Sequence, residues 1–383
     1  LEDSLVAANW VLHCSLLTFV VNLISVPYNA CIIAHEHMNA YAYISIFDAI
    51  LKMSVAYLLI VSPVDKLIAY SVLLFVTALG VRLLYGFYCG RHFKECKYKP
   101  IYDRVLFKEM MGFAGWNFFG NATSVLNIQG VNILINVFFG VVANSARGIA
   151  SQIDAAVNQL VVTFTTAVNP QITKSYAQGD SQRLNYLVCK GAKFSFFLLL
   201  LFAVPLFFEA DTILKIWLVN VPEGSSLLTR LALIGALVTI LGNTGYTACL
   251  ATGNIKKYSI VITLIGNLNF IFTWIAYNLG ASVEMTYYIY ILVYIVVLIA
   301  RLMLMKEILQ FPISIYFKEV IGKILLPTMM AIIGPFYVCQ YFEVSITRVF
   351  IDCLFSILWT GTFIMLFGLT KGERITILRK LKS

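Results

Sequence analysis

Apolar residues along this chain run on for twenty positions or more before a short polar break interrupts them. That length carries an α-helix across a ~30 Å hydrocarbon layer at ~1.5 Å per residue. Eleven such runs are read, at about 5–34, 40–62, 66–89, 112–140, 142–172, 192–218, 227–252, 258–280, 283–306, 320–343 and 346–369. In oil every backbone N–H and C=O needs a partner within the protein, so spanning segments are helices or strands of a closed barrel. Barrel strands would read as ~10-residue alternating segments. The pattern here predicts an all-α, polytopic membrane protein.

Composition leads to the same class. Hydrophobic residues make up 60% of the chain, charged residues 12%, and the mean hydropathy is +0.85. A soluble domain carries roughly 25% charged residues to face water, and a chain this apolar could not cover its surface. Charge then fixes orientation. If the spans alternate in direction, the connections at 90–111, 173–191, 253–257 and 307–319 and the tail from Thr370 fall on one side. With residues at the span edges they hold twenty of the 28 Lys and Arg. A cationic bias of this kind marks the cytoplasmic side and puts the carboxy-terminus there. The net charge of +9 therefore expresses topology, and its spread over five connections argues against a nucleic-acid partner.

The chain contains a repeat. CIIAHEHMNAYAYIS at 31–45 has a counterpart in CLATGNIKKYSIV at 249–261. Asn29-Ala-Cys aligns with Thr247-Ala-Cys, Tyr41 with Tyr258, and Arg82-Leu with Arg301-Leu, at offsets of 217 to 219. Spans one to three read as a parallel copy of spans seven to nine, and duplicated bundles are a common plan for transporters. Spans four to six precede the second copy, while nothing precedes the first. The expectation is an amino-terminally truncated chain, eleven helices of fourteen. Residues 1–89 would form the second half of one lobe, 90–111 a cytoplasmic linker, and 112–306 a complete six-helix lobe. Residues 307–383 would comprise an interfacial segment (311–323, aromatics in the headgroups), two extra helices and a basic tail.

Span four carries Asn117, Asn121, Ser124, Gln129, Asn132 and Asn136 within roughly 140° of one helical face. In span five, Arg147, Ser151, Asp154, Asn158, Thr165 and Asn169 share a sector of about 60°. Single amides often join neighbouring membrane helices. Two dense polar stripes, the second with Arg147 and Asp154, point instead to a hydrated cavity, because charge in lipid is expensive. Snorkelling of Arg147 to the interface is the competing reading. Asp48 and Lys52 form an i,i+4 pair, read either as a structural ion pair or as an ion-coupling site. The eight cysteines form no CxxC pair and read as small hydrophobes. His35 and His37 lack third and fourth ligands nearby in sequence, so no metal is expected. No cofactor is expected, and the acids near the outer connections (Asp65, Glu209, Asp211, Glu223, Glu284, Glu343) form no local motif suggesting an enzyme.

The phrases VPYNACIIAHEHMNAYAYIS, FAGWNFFGNATSVLNIQGVNILINVFFG, NSARGIASQI, NPQITKSYAQGD and GAKFSFFLLLL resemble bacterial polysaccharide and lipopolysaccharide biosynthesis flippases. These belong to the MATE-like multidrug/oligosaccharidyl-lipid/polysaccharide superfamily. The resemblance implies a MATE-type fold of two six-helix lobes, here with two added helices, in the bacterial cytoplasmic membrane. It implies translocation of an undecaprenyl-diphosphate-linked oligosaccharide, with membrane lipids and the polysaccharide polymerase or ligase machinery as partners. Arg147 would contact the diphosphate, and Asn117, Asn121, Gln129, Asn132, Asp154 and Asn158 would line the sugar path. If the Asp48–Lys52 pair is a coupling site and not a structural ion pair, Asp48 is the candidate proton carrier. The alternative is a cation- or proton-coupled multidrug antiporter of the same superfamily.

Overall fold

A computed structural model describes residues 2–63, 65–96, 103–342 and 345–375, leaving aside the side chains of residues 2–5, 8, 124 and 346. Among the described residues every regular element is helical. Ten helical stretches are long and apolar enough to cross a membrane. Large apolar side chains point outward along them, with Met53 at 75% and Phe118 at 74% exposure. Water would not tolerate such a surface, whereas lipid requires one. The chain is a multi-pass helical membrane protein.

One stretch, α4 (Arg104–Ala177), is too long for one crossing, since 74 residues would reach about 110 Å. It breaks at Gly140, whose φ of 79° and ψ of −173° lie in a region open essentially to glycine alone. The two arms, 104–139 and 141–177, are separate crossings, which brings the number to eleven. The break falls between the apolar runs 112–140 and 142–172.

The chain forms two compact units that divide at Asp103. The first contains α1 (Glu2–Ala34), α2 (Met38–Val61), α3 (Lys66–His92) and a 3₁₀ turn at Lys94–Cys96. The α3 helix packs against both α1 and α2. Its amino-terminus is capped by Asp65, whose carboxylate accepts from the N–H groups of Leu67 and Ile68 at 2.9 and 3.2 Å. Ile32, Tyr85, Cys89 and Phe93 form a small core at the other end of α3.

The second unit holds α4, α5 (Ser181–Phe208), α6 (Ala210–Trp217), α7 (Ser225–Ile240), α8 (Asn243–Ala251), α9 (Lys256–Asn278) and α10 (Met285–Leu309). After these come α11 (Ile313–Tyr316), α12 (Gly322–Tyr341) and α13 (Ile346–Phe363). Its core gathers around α5, where Phe196, Phe197, Leu199 and Leu200 are buried against residues of α7, α8, α10 and α12. The segment 311–323 departs from the sequence expectation. It runs as helix through a π turn at Phe317–Ile321 into α12, and Phe311 and Tyr316 are each 1% exposed. The Tyr316 hydroxyl donates to Leu241 O at 2.6 Å, so these two rings are core anchors, while Phe317 at 52% exposure faces outward.

The sequence repeat has a structural counterpart in each unit taken alone. In the second, α10 packs against α7, α8 and α9, as α3 does against α1 and α2 in the first. The left-handed residue of the hinge also repeats: Glu36 (φ 58°) is followed 217 positions later by Gly253 (φ 74°).

Candidate functional site

Gly140 reverses the chain so that the two arms of α4 bring Arg147 onto Asn132. The Arg147 Nη1 donates to Asn132 Oδ1 at 2.6 Å, and Asn132 Nδ2 donates in turn to Gln129 Oε1 at 3.0 Å. Arg147 Nε is buried without a partner, and no carboxylate pairs with this guanidinium among the described residues. Amide and phenol partners (Asn132 and the Tyr287 hydroxyl) leave this guanidinium without a counter-charge, open to an anion. Further along the second arm, Asn158 Nδ2 donates to the backbone and side-chain oxygens of Asp154, at 3.0 and 2.9 Å.

A separate polar cleft of about 270 Å³ lies against the first arm of α4. Asn117, Asn121 and Asn127 enter it from α4, Tyr246 from α8, Tyr258 and Asn267 from α9, and Arg301 from α10. Tyr246 Oη donates to Asn117 Oδ1 at 3.3 Å. Asn127 Nδ2 donates to Gly266 O at 3.1 Å, and Asn269 Nδ2 returns a bond to Asn127 Oδ1 at 3.2 Å. Arg301 Nε and the Tyr258 hydroxyl are buried here without hydrogen-bond partners. No carboxylate lines the cleft among the described residues.

The expected single vestibule is thus divided. Asn117, Asn121 and Asn127 line the cleft, while Gln129, Asn132 and Arg147 form a hydrogen-bonded group of their own that starts about 3 Å of helix rise past Asn127. Asp154 and Asn158 satisfy each other at a third position. Ser124 lies among the side chains left aside. None of the seven predicted cavity residues is fully buried: Asn121 and Gln129 are exposed, and the other five are half-buried. Exposed amides within a membrane span need water, cargo or protein against them, since lipid offers no partner.

In the first unit Lys52 Nζ donates to Asp48 Oδ2 at 2.7 Å. The pair lines a hollow of about 380 Å³ with Asn22, Asn29, Ser45 and Tyr85. Lys52 is 57% exposed, so the pair itself contributes little, about 0.3–0.5 kcal/mol. Two further groupings were hidden from the sequence. Glu209 sits within 2.9 Å of Arg348 and close to Cys339 and Asp352, so one of the acids read as isolated belongs to a buried cluster. A cavity of about 640 Å³ carries Lys190 and Lys193, whose charge is spent on Glu373.

Arg301, Tyr246, Tyr258, Asn127 and Asn267 belong to the site although sequence reasoning did not select them. Arg301 did carry a signal, as an unpaired cation in the apolar run 283–306 that recurs as Arg82. Arg82 stands 4.0 Å over the ring of Tyr28, in the first unit's version of the same corner. No family model, no curated protein and no solved structure matches the chain.

Proposed function

We propose that the protein is a flippase. It would carry an undecaprenyl-diphosphate-linked oligosaccharide across the bacterial cytoplasmic membrane by alternating access, with the carboxy-terminus on the cytoplasmic side. The reading rests on the sequence resemblance and on one observation above all: two membrane-embedded arginines, Arg147 and Arg301, stand among amides and hydroxyls with no described carboxylate against them. A diphosphate needs cations, and guanidinium offers its oxygens a bidentate fork. A glycan needs amide and hydroxyl partners in place of water, and the cleft supplies them. The polyprenyl tail can stay in the bilayer. A cationic drug would instead call for an acidic cleft.

The test is glycan export in a flippase-deficient cell complemented with the gene. Arg147→Ala and Arg301→Ala should each lower export about tenfold or more at normal membrane levels, as expected for losing a charged hydrogen bond of ~1.5–3 kcal/mol. Unchanged export in both variants removes the proposed anion site. Resistance to cationic drugs without glycan rescue would transfer the reading to the antiporter.

A further inference from the structure

The end of the first unit at which α1 and α3 meet collects soft metal ligands. Three of the chain's four histidines (His35, His37, His92) and three of its eight cysteines (Cys31, Cys89, Cys96) lie on α1's exit, α3's last turns and the 3₁₀ turn that follows. Sequence spacing discounted His35 and His37 for want of further ligands, and the fold provides them from sixty residues away. Cys31 Sγ, His35 and Glu95 offer ligand atoms that all lie within 4.8 Å of one another. Cys96 Sγ lies outside that trio but 3.4 Å from Cys31 Sγ, and His35 Nε2 is 2.5 Å from Glu95 Oε1.

We propose that Cys31, Cys96, His35 and Glu95 bind one zinc ion, which fastens the end of α1 to the segment leaving α3. Two thiolates, an imidazole and a carboxylate are a tetrahedral zinc donor set, and four protein ligands make a closed, structural site. With Zn–S near 2.3 Å and Zn–N or Zn–O near 2.0–2.2 Å, the edges of such a tetrahedron come to about 3.3–3.8 Å. The thiol–thiol edge, ~3.8 Å in such a site, is short by about 0.4 Å. His35 and Glu95 need only move apart by about 0.8 Å to reach theirs. Glu95, an exposed side chain at 58%, can take up that adjustment.

The surroundings fit a fixed site. Phe93, itself buried, stacks on the His35 ring at 4.3 Å and nearly parallel, 13° between planes, which holds the imidazole in place. His37 is engaged elsewhere, its Nδ1 at 2.9 Å from the Tyr88 hydroxyl; Cys89 borders the site through Cys96 but donates to Tyr28 O at 3.4 Å. Neither is needed as a ligand. On binding, each thiol gives up its proton to solvent and the imidazole enters neutral, so two protons leave as the dication arrives. The ion would close a loop of about sixty-five residues, and its binding energy would add to the stability of the folded state alone.

The full chain, purified in detergent under reducing conditions and stripped with chelator, is titrated with Co²⁺ as a spectroscopic probe and then with Zn²⁺. One Co²⁺ per chain is expected, with the visible bands of a tetrahedral site and a thiolate-to-cobalt charge-transfer band, all displaced by Zn²⁺. Cys31→Ser and Cys96→Ser should each roughly halve the charge-transfer band. His35→Gln should weaken Zn²⁺ binding by more than the ~10–100-fold typical of losing an outer-shell partner. Cys249→Ser, a buried thiol of the second unit, should leave the spectrum unchanged. Zn²⁺ should raise the unfolding temperature of the unaltered chain but not of the Cys31→Ser/Cys96→Ser double variant, and circular dichroism before metal addition confirms that each variant is folded. Three results overturn the proposal: no thiolate band in the unaltered chain, a band that survives in the double variant, or a Cys31–Cys96 disulfide in protein kept reduced throughout. None of these bears on the flippase assay, so the two readings fail separately.

Discussion

Glu373 shows how much a single side chain can hold at the margin of the membrane-spanning region. Lys193 Nζ donates to both of its oxygens, at 3.0 and 2.8 Å, and the Thr370 N–H donates at 2.8 Å. Burial pushes the carboxyl up, but these donors outweigh it, and the net position is below the usual carboxylate range. A depressed acid contributes stability that is complete above its unfolded value and is lost as pH falls through its folded one. Thermal stability should therefore decline, through this group, as pH falls below the ordinary carboxylate range. In Glu373→Gln that acid-sensitive part should be absent. At neutral pH the same variant strands Lys193, only 3% exposed, at a cost of about 3–5 kcal/mol. A variant with unaltered stability at pH 7 would show that Lys193 finds another partner.

At the scale of an element, Gly140 determines whether α4 is one rod or two crossings. Its backbone lies where only glycine rests comfortably, and a Cβ added there would meet no atom within 4 Å. The cost of a side chain is thus conformational and not steric. Gly140→Ala should destabilise by about 1–3 kcal/mol, measured as a shift in the thermal midpoint in detergent. It should also weaken the Arg147–Asn132 contact, since that bond exists only because the arms fold back. If Gly140→Ala matches the unaltered chain in both stability and glycan export, the break is not what positions Arg147.

At the scale of the whole molecule, the hinge residues of the two repeats carry the same backbone demand with different side chains. Glu36 takes a left-handed conformation that costs an L-residue roughly 1–2 kcal/mol, and Gly253 takes it freely. Gly253→Ala should lose about 1 kcal/mol, again without a clash, because nothing lies within 4 Å of the added Cβ. Glu36→Gly removes strain but also loosens the unfolded chain, so it should be neutral to slightly stabilising. Equilibrium unfolding of the two variants side by side checks both. A large loss on Glu36→Gly would mean that the glutamate side chain holds the hinge by contacts of its own.

The repeat, the crossings and the break between runs four and five were legible from sequence because each is local. Hydropathy summed over twenty positions measures the transfer of one helix into oil, and no knowledge of neighbours is required. The amide stripes were legible for the same reason, as a periodicity within one helix. The division of those stripes was not. Asn121 turns to a cleft completed by α8, α9 and α10, whereas Asn132 turns to Arg147 across the Gly140 break. Arg301 was visible as a cation in an apolar run, but its place beside Asn117 and Tyr246 depends on elements far apart in the chain. The same holds for Cys31 meeting Cys96, and for Glu209 meeting Arg348 at a separation of 139 residues. Sequence alone determined the solvent this chain folds in and the lengths that cross it, because those follow from local transfer energies. Tertiary structure alone decided which polar groups share a space, because packing brings together side chains that no local pattern relates.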